Sequence, residues 1–144
     1  MSVTSRHRVR FCDCDTAGIA YYPRLLAHVD SAVEDWMEET VGVDRAGLLI
    51  EAKLGLPTAD MHIGFSRACR LGETLDIGIA PTKIGRSSIS LDVLATVAGD
   101  LRFSGTLIQV LTRLETGTSL EWPAKWRALI AAQIPKTHEA RVQA

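Results

Sequence analysis

Two carboxylates spaced two positions apart, Asp13 and Asp15, stand in the run FCDCDTAGIAYYP at residues 11–23, with Gly18 and Pro23 beside them. A carboxylate can attack an electrophilic carbon or take a proton from water, and the amides that open a helix have no intrahelical partner, so they can hold developing negative charge. Both kinds of group meet here. The same residues also make an Asx turn or a helix cap, and spacing alone leaves Asp15 open between reactive group and cap. Asp13 is expected as scaffold, on the opposite side from Asp15 and sharing no proton with it.

Residues 4–12 alternate loosely, Val9 and Phe11 against Arg8 and Arg10, which predicts a half-buried first strand that the 13–21 loop breaks. From Tyr22 the period changes. Leu25, Leu26, Val29, Ala32, Val33, Trp36 and Met37 recur at three and four, with acidic residues opposite, predicting a long helix that Pro23 opens and Gly42 stops. Asp44 to Ala52 reads as a shorter helix or irregular turn.

Alternation then predicts strands over 57–67, from Leu75 through Ile79, and over 89–97, the last the cleanest. Leu101 to Arg113 reads as a final long strand whose apolar side changes around Gly105, as a bulge or sharp bend would require. Trp122-Pro123 opens a short helix to Ile134, and 135–144 is expected to be a loose tail. One strand, a long helix and then four strands make an α+β domain with a mainly antiparallel sheet.

The 144 residues suit one domain, and 16 basic against 17 acidic side chains leave no field for general binding of nucleic acid or an anionic membrane. No apolar signal core or membrane-length stretch is present, so the expectation is a cytoplasmic protein. Cys12, Cys14 and Cys69 lack the second pair that a zinc site needs and read as reduced, mostly packed thiols. No metal is expected.

The run from Phe11 to Pro23, with Asp30 seven residues further, resembles the 4-hydroxybenzoyl-CoA thioesterase family of the hotdog fold. It also resembles more broadly the acyl-CoA thioesterases that carry D-x-D-x-x-G-x-x-x-Y. The resemblance implies a five-stranded sheet wrapped around the long central helix, one domain over 1–144, and side-by-side homodimers with active sites at the interface. It further implies association into homotetramers and hydrolysis of an acyl-CoA thioester without a cofactor.

Carried onto this chain, the resemblance makes Asp15 the catalytic carboxylate, as nucleophile or general base. The Tyr22 backbone N–H becomes the donor to the thioester oxygen, and Gly18 keeps the backbone there open. Asp30, at the edge of the helix's apolar stripe, matches a position that meets a substrate ring hydroxyl; a salt bridge to a surface arginine is the competing reading. His62 borders the expected acyl pocket, and His7, His28 and His138 rank below it. Arg86 with Ser87, and Lys83 as helper, match a turn that grips CoA phosphates, although the family's basic run is denser. Two alternatives to an aromatic substrate stand: a short-chain aliphatic acyl-CoA or acyl-carrier-protein thioesterase, and a hotdog protein that binds acyl-CoA without turnover.

Overall fold

The structure is a computed structural model that describes residues 2–136. The rest of the expected tail, with His138, lies outside the described residues. Among the described residues eleven segments of regular structure run in chain order, and five strands form one antiparallel sheet. They are β1 (Val3–Arg8), β3 (Thr58–Phe65), β4 (Thr74–Ile84), β5 (Ser88–Val97) and β6 (Asp100–Val110), ordered β1-β4-β5-β6-β3. This sheet packs on α1 (Tyr22–Val41), and a two-stranded ribbon, β2 (Leu54–Gly55) with β7 (Thr112–Arg113), prolongs the β3–β6 pair, joined to it through the Val110 N–H to Pro57 O bond.

α1 forms for the reasons its sequence gives. Leu25, Val29, Ala32, Val33, Trp36 and Met37 are its buried residues, and they face Leu75, Ile77, Ile79, Ile89, Leu91 and Val93 of the sheet in one core. Each large apolar side chain so buried contributes roughly 1.5–3 kcal/mol. Gly42, at φ 75°, takes the left-handed turn that ends the helix, its N–H bonded to Glu38 O. Beyond it a short helical stretch that includes a π turn, Gly47–Glu51, is capped by the Asp44 carboxylate, which accepts the Gly47 amide at 2.7 Å. α2 (Ala124–Ala131) closes the structure, and the Trp36 indole N–H donates to Gln133 at 3.0 Å just beyond it.

Two sequence expectations are corrected. The first strand stops at Arg8, because Arg10 turns into a 3-10 turn over Phe11–Asp13; Val9 is buried but Phe11 is 82% exposed. The irregularity expected around Gly105 lies three residues earlier: Gly105 itself pairs in register with Ile63 and Val93, while the β5–β6 register shifts between Ala95↔Phe103 and Thr96↔Leu101, at Arg102. Glycine is required at position 105 because a Cβ would collide with the His62 carbonyl of the neighbouring strand.

Candidate active site

The 13–21 segment folds into a narrow hairpin laid between the end of β1 and the start of β4. Val9 N–H donates to Glu73 O at 2.8 Å, Gly72 N–H returns to Val9 O at 2.9 Å, and the 3-10 turn then redirects the chain. Cys14 pairs with Ala20, Asp15 N–H donates to Ile19 O at 3.0 Å, and Tyr21 N–H donates to Asp13 O at 2.7 Å. Gly18, at φ +73°, makes the tip possible and accepts the Leu71 amide at 3.0 Å.

Asp15 is exposed at this tip. Its Oδ1 accepts the Ala17 amide at 2.9 Å and the Ile19 amide at 3.3 Å, while Oδ2 has no protein partner among the described residues. The side chain therefore closes an Asx-type turn and still presents an oxygen to solvent. Cap and reactive group are compatible.

Asp13 differs in every respect. Its side chain is 8% exposed, its Oδ2 accepts the Arg10 amide at 2.9 Å and meets His28 Nε2 at 2.9 Å, and Arg24 Nε lies 3.8 Å from Oδ1. Burial pushes its pKa up, but the hydrogen bonds from Arg10 and His28 and the nearby charges of His28 and Arg24 outweigh this and leave it below the usual carboxylate value. The scaffold role is thus visible. The expected reason for the separation is not the operating one, since strand alternation puts residues two apart on one face. It is the 3-10 turn, ending at Asp13, that sends one carboxylate inward and leaves the other at the tip.

At the start of α1 a single amide is left over. Pro23 has no N–H, and Arg24 and Leu25 donate to Tyr21 O at 2.9 and 3.3 Å, so the Tyr22 N–H alone has no partner among the described residues. Tyr21 O and Tyr22 N–H share one trans peptide plane and point in opposite directions. With the oxygen engaged by the helix, the N–H points out of it. Beside it lies a shallow groove of about 290 Å³, lined by Ala20, Tyr22, Leu25, Phe65 and Cys69 among others. The Tyr22 and Phe65 rings meet edge-on at 6.5 Å.

The strip of chain behind this groove is held by Arg102, a residue with no local signal in the sequence. Its guanidinium grips Glu73 through two bonds of 2.7 Å, reaches Asp100 at 3.1 Å and donates to Ala68 O at 2.8 Å. These bonds hold Glu73 below, and Arg102 above, the usual values. Ala20 N–H donates to Cys69 O on the same strip at 2.8 Å. The Cys69 thiol is buried, Cys14 is half-buried, and Cys12 is exposed rather than packed.

The other residues singled out from the sequence lie elsewhere. His62 is exposed and alternates with Ile63 and Phe65, so it faces the outer side of the sheet, away from Tyr22 and from the groove. A larger hollow of about 580 Å³ on that outer side, bordered by Thr4, Asp92, Leu94 and Thr106, includes none of the expected site residues. Asp30 is exposed on the α1 flank that also carries Tyr22 and Leu26, with Arg45 Nη1 3.6 Å away. Lys83, Arg86 and Ser87 lie at the β4–β5 turn, whose Gly85 and Arg86 carbonyls are held by the Arg127 guanidinium at 2.7 and 3.2 Å. β4 runs eleven residues from Thr74 to Ile84, about 36 Å at ~3.3 Å per residue, so that turn and the Asp15 hairpin sit at opposite ends of the sheet.

Comparison with known proteins agrees with this architecture. A 1,4-dihydroxy-2-naphthoyl-CoA hydrolase of Nostoc punctiforme is 29% identical over 98 residues, 68% of this chain and 66% of that protein. The alignment thus spans just under two thirds of the relative's own length. The crystal structure of a thioesterase superfamily protein from Jannaschia sp. CCS1 superposes with a TM-score of 0.86 at 27% identity, covering 93% of this chain and 94% of the other. A gentisyl-coenzyme A thioesterase has the same fold, with a TM-score of 0.80 at 23% identity over 89% of this chain and 99% of its own. The family model described as Thioesterase-like superfamily matches residues 9–133, from Val9 before the Asp15 hairpin to just past α2, and the chain belongs to that superfamily.

Proposed function

We propose that this protein is a thioesterase that hydrolyses an aromatic acyl-CoA, with a hydroxylated ring as the acyl group. The observation that carries the reading is the presence, on one hairpin-to-helix unit, of an exposed carboxylate oxygen and an outward amide that both lack a partner among the described residues. In this reading the thioester oxygen accepts the Tyr22 N–H. Asp15 Oδ2 either attacks the carbonyl carbon, giving an anhydride that water opens, or takes a proton from an attacking water; the C–S bond breaks and CoA leaves as its thiol. Gly18 shapes the hairpin tip, and the groove beside Phe65 receives the ring. The reaction needs only water and these groups. Names of relatives that act on dihydroxynaphthoyl-CoA and gentisyl-CoA support an aromatic substrate.

A second copy of the chain completes the site. β3 ends the sheet, and seven of its eight residues are exposed, including Met61 and Phe65. Such an edge is a template for antiparallel pairing. Two β3 edges paired in this way set the Phe65 end of one protomer beside the Thr58 end of the other. The Asp15 hairpin then falls on the same side as the partner's Arg86 turn, with Ser87 and Lys83 available to the CoA phosphates. Asp30 stands on the flank that looks over this edge, where a ring hydroxyl can reach it. His62, on the outer face, has no part in this reading.

A hydrolysis panel of 4-hydroxybenzoyl-, benzoyl-, phenylacetyl- and butyryl-CoA tests the substrate class. The hydroxylated aroyl-CoA is expected to give the highest kcat/KM, and preference for butyryl-CoA contradicts the aromatic assignment. Asp30→Asn is expected to lower kcat/KM for 4-hydroxybenzoyl-CoA more than for benzoyl-CoA; equal effects reduce Asp30 to the partner of Arg45. A monomer in sedimentation at micromolar concentration refutes the paired site.

A further inference from the structure

A cluster around the buried Asp13, under the hairpin, joins three parts of the chain that the reaction needs in register. Asp13 sits in the loop, Arg24 and His28 lie one turn apart on α1, and His7 projects from β1 with its ring edge-on to His28 at 5.5 Å. His7 Nε2 is 2.7 Å from Ser5 Oγ and 3.9 Å from Asp35. An ionic group with 8% exposure is costly to keep unless its partners are fixed.

What this cluster fixes is the peptide that carries the free amide. The Asp13 side chain ties the loop to the first two turns of α1 through His28 and Arg24, while the Asp13 carbonyl accepts the Tyr21 N–H at 2.7 Å. Tyr21 O in turn accepts the Arg24 and Leu25 amides. The two peptides that meet at the Tyr21 Cα are therefore both held, Ala20–Tyr21 by the Asp13 carbonyl and Tyr21–Tyr22 by the opening turn of α1, which leaves the Tyr22 N–H one direction.

We propose that Asp13 and His28 are positioning residues that set the direction of the Tyr22 amide; the proposal rests on the reading of that amide as the oxyanion donor. Neither residue touches the substrate. Their contact acts through the Tyr21–Tyr22 peptide, so weakening it impairs the chemical step more than substrate binding, since small misplacements of a catalytic group are costly in rate.

The test compares His28→Leu, His28→Gln and Asp13→Ala by steady-state kinetics and by amide hydrogen exchange. His28→Leu and Asp13→Ala are expected to lower kcat at least ~10-fold with KM within about twofold, and to speed exchange at Tyr21 at least ~10-fold while Val33 exchange stays slow. His28→Gln, which keeps a donor for Asp13, is expected to restore most of kcat, and the double variant to cost no more than the worse single one. Unchanged Tyr21 exchange and unchanged kcat in His28→Leu overturn the proposal. A wild-type protein that hydrolyses no acyl-CoA refutes the oxyanion role of Tyr22 instead, and the exchange measurements still decide whether the pair holds the peptide.

Discussion

The Ala17 amide donates to Asp15 Oδ1 at 2.9 Å, across the tip of the hairpin, and leaves the second oxygen of that carboxylate outside the fold's hydrogen bonding among the described residues. The turn needs an acceptor at this position, not a charge. Asparagine has that acceptor, so the turn made by Asp15 and the chemistry proposed for it can be separated by a single substitution.

Gly105 is the point where β6 and β3 approach too closely for any side chain. Gly105→Ala drives a methyl into the His62 carbonyl and is expected to destabilise the protein by ~3 kcal/mol, at the high end of overpacking, and to disturb the β3 edge. Gly78→Ala is the control, because its Cβ meets Thr4 Oγ1 at an ordinary 3.5 Å, and it should stay within ~0.5 kcal/mol of wild type. Urea unfolding of both variants measures the difference.

Arg102→Gln removes the clamp from the strip behind the groove and leaves Glu73 half-buried without its guanidinium. With the two side chains 12% and 25% exposed, the loss at pH 7 is expected near ~2 kcal/mol, below the cost for a fully buried pair. Glu73 has a lowered folded pKa, so its contribution is complete above its unfolded value and disappears as pH falls through the folded one. The stability gap between wild type and Arg102→Gln should therefore narrow in acid, as urea midpoints at pH 7 and pH 4 will record.

His7 gives a second acid-sensitive element. Its pKa is lowered by burial first and by the His28 charge next, against a smaller upward pull from Asp35. The neutral ring is favoured in the fold, so its contribution is present above the unfolded value near 6.5 and is lost as pH falls through the folded value. Wild-type stability should drop as pH falls below ~6.5, and His7→Gln should flatten that part of the profile. The same slope in both proteins excludes His7 as its source.

The long helix, the order of the strands along the chain and the loop that carries Asp15 were legible because each rests on local chemistry: an apolar period, a glycine stop, a carboxylate before a helix start. The partners of Asp13 were half legible, since Arg24 and His28 share a helix flank, but nothing local says that Asp13 turns inward. Arg102 with Glu73, 29 positions apart, and the ribbon of Leu54–Gly55 with Thr112–Arg113 depend on contacts distant in sequence. The irregularity expected around Gly105 falls at Arg102 instead and shows the same limit, because a glycine needed for close strand approach and one needed for a bend look alike until the neighbouring strand is known. His62 is set beside the acyl pocket by the resemblance alone, and the structure puts it on the exposed outer face of β3, away from the groove.

The rate of CoA thiol release by Asp15→Asn, in single turnover with 4-hydroxybenzoyl-CoA at saturating enzyme, tests the central claim most directly. The account predicts at least a ~100-fold loss with circular dichroism and melting temperature like those of wild type, because the asparagine keeps the acceptor for Ala17 and removes only the reactive oxygen. A rate within a few-fold of wild type contradicts it.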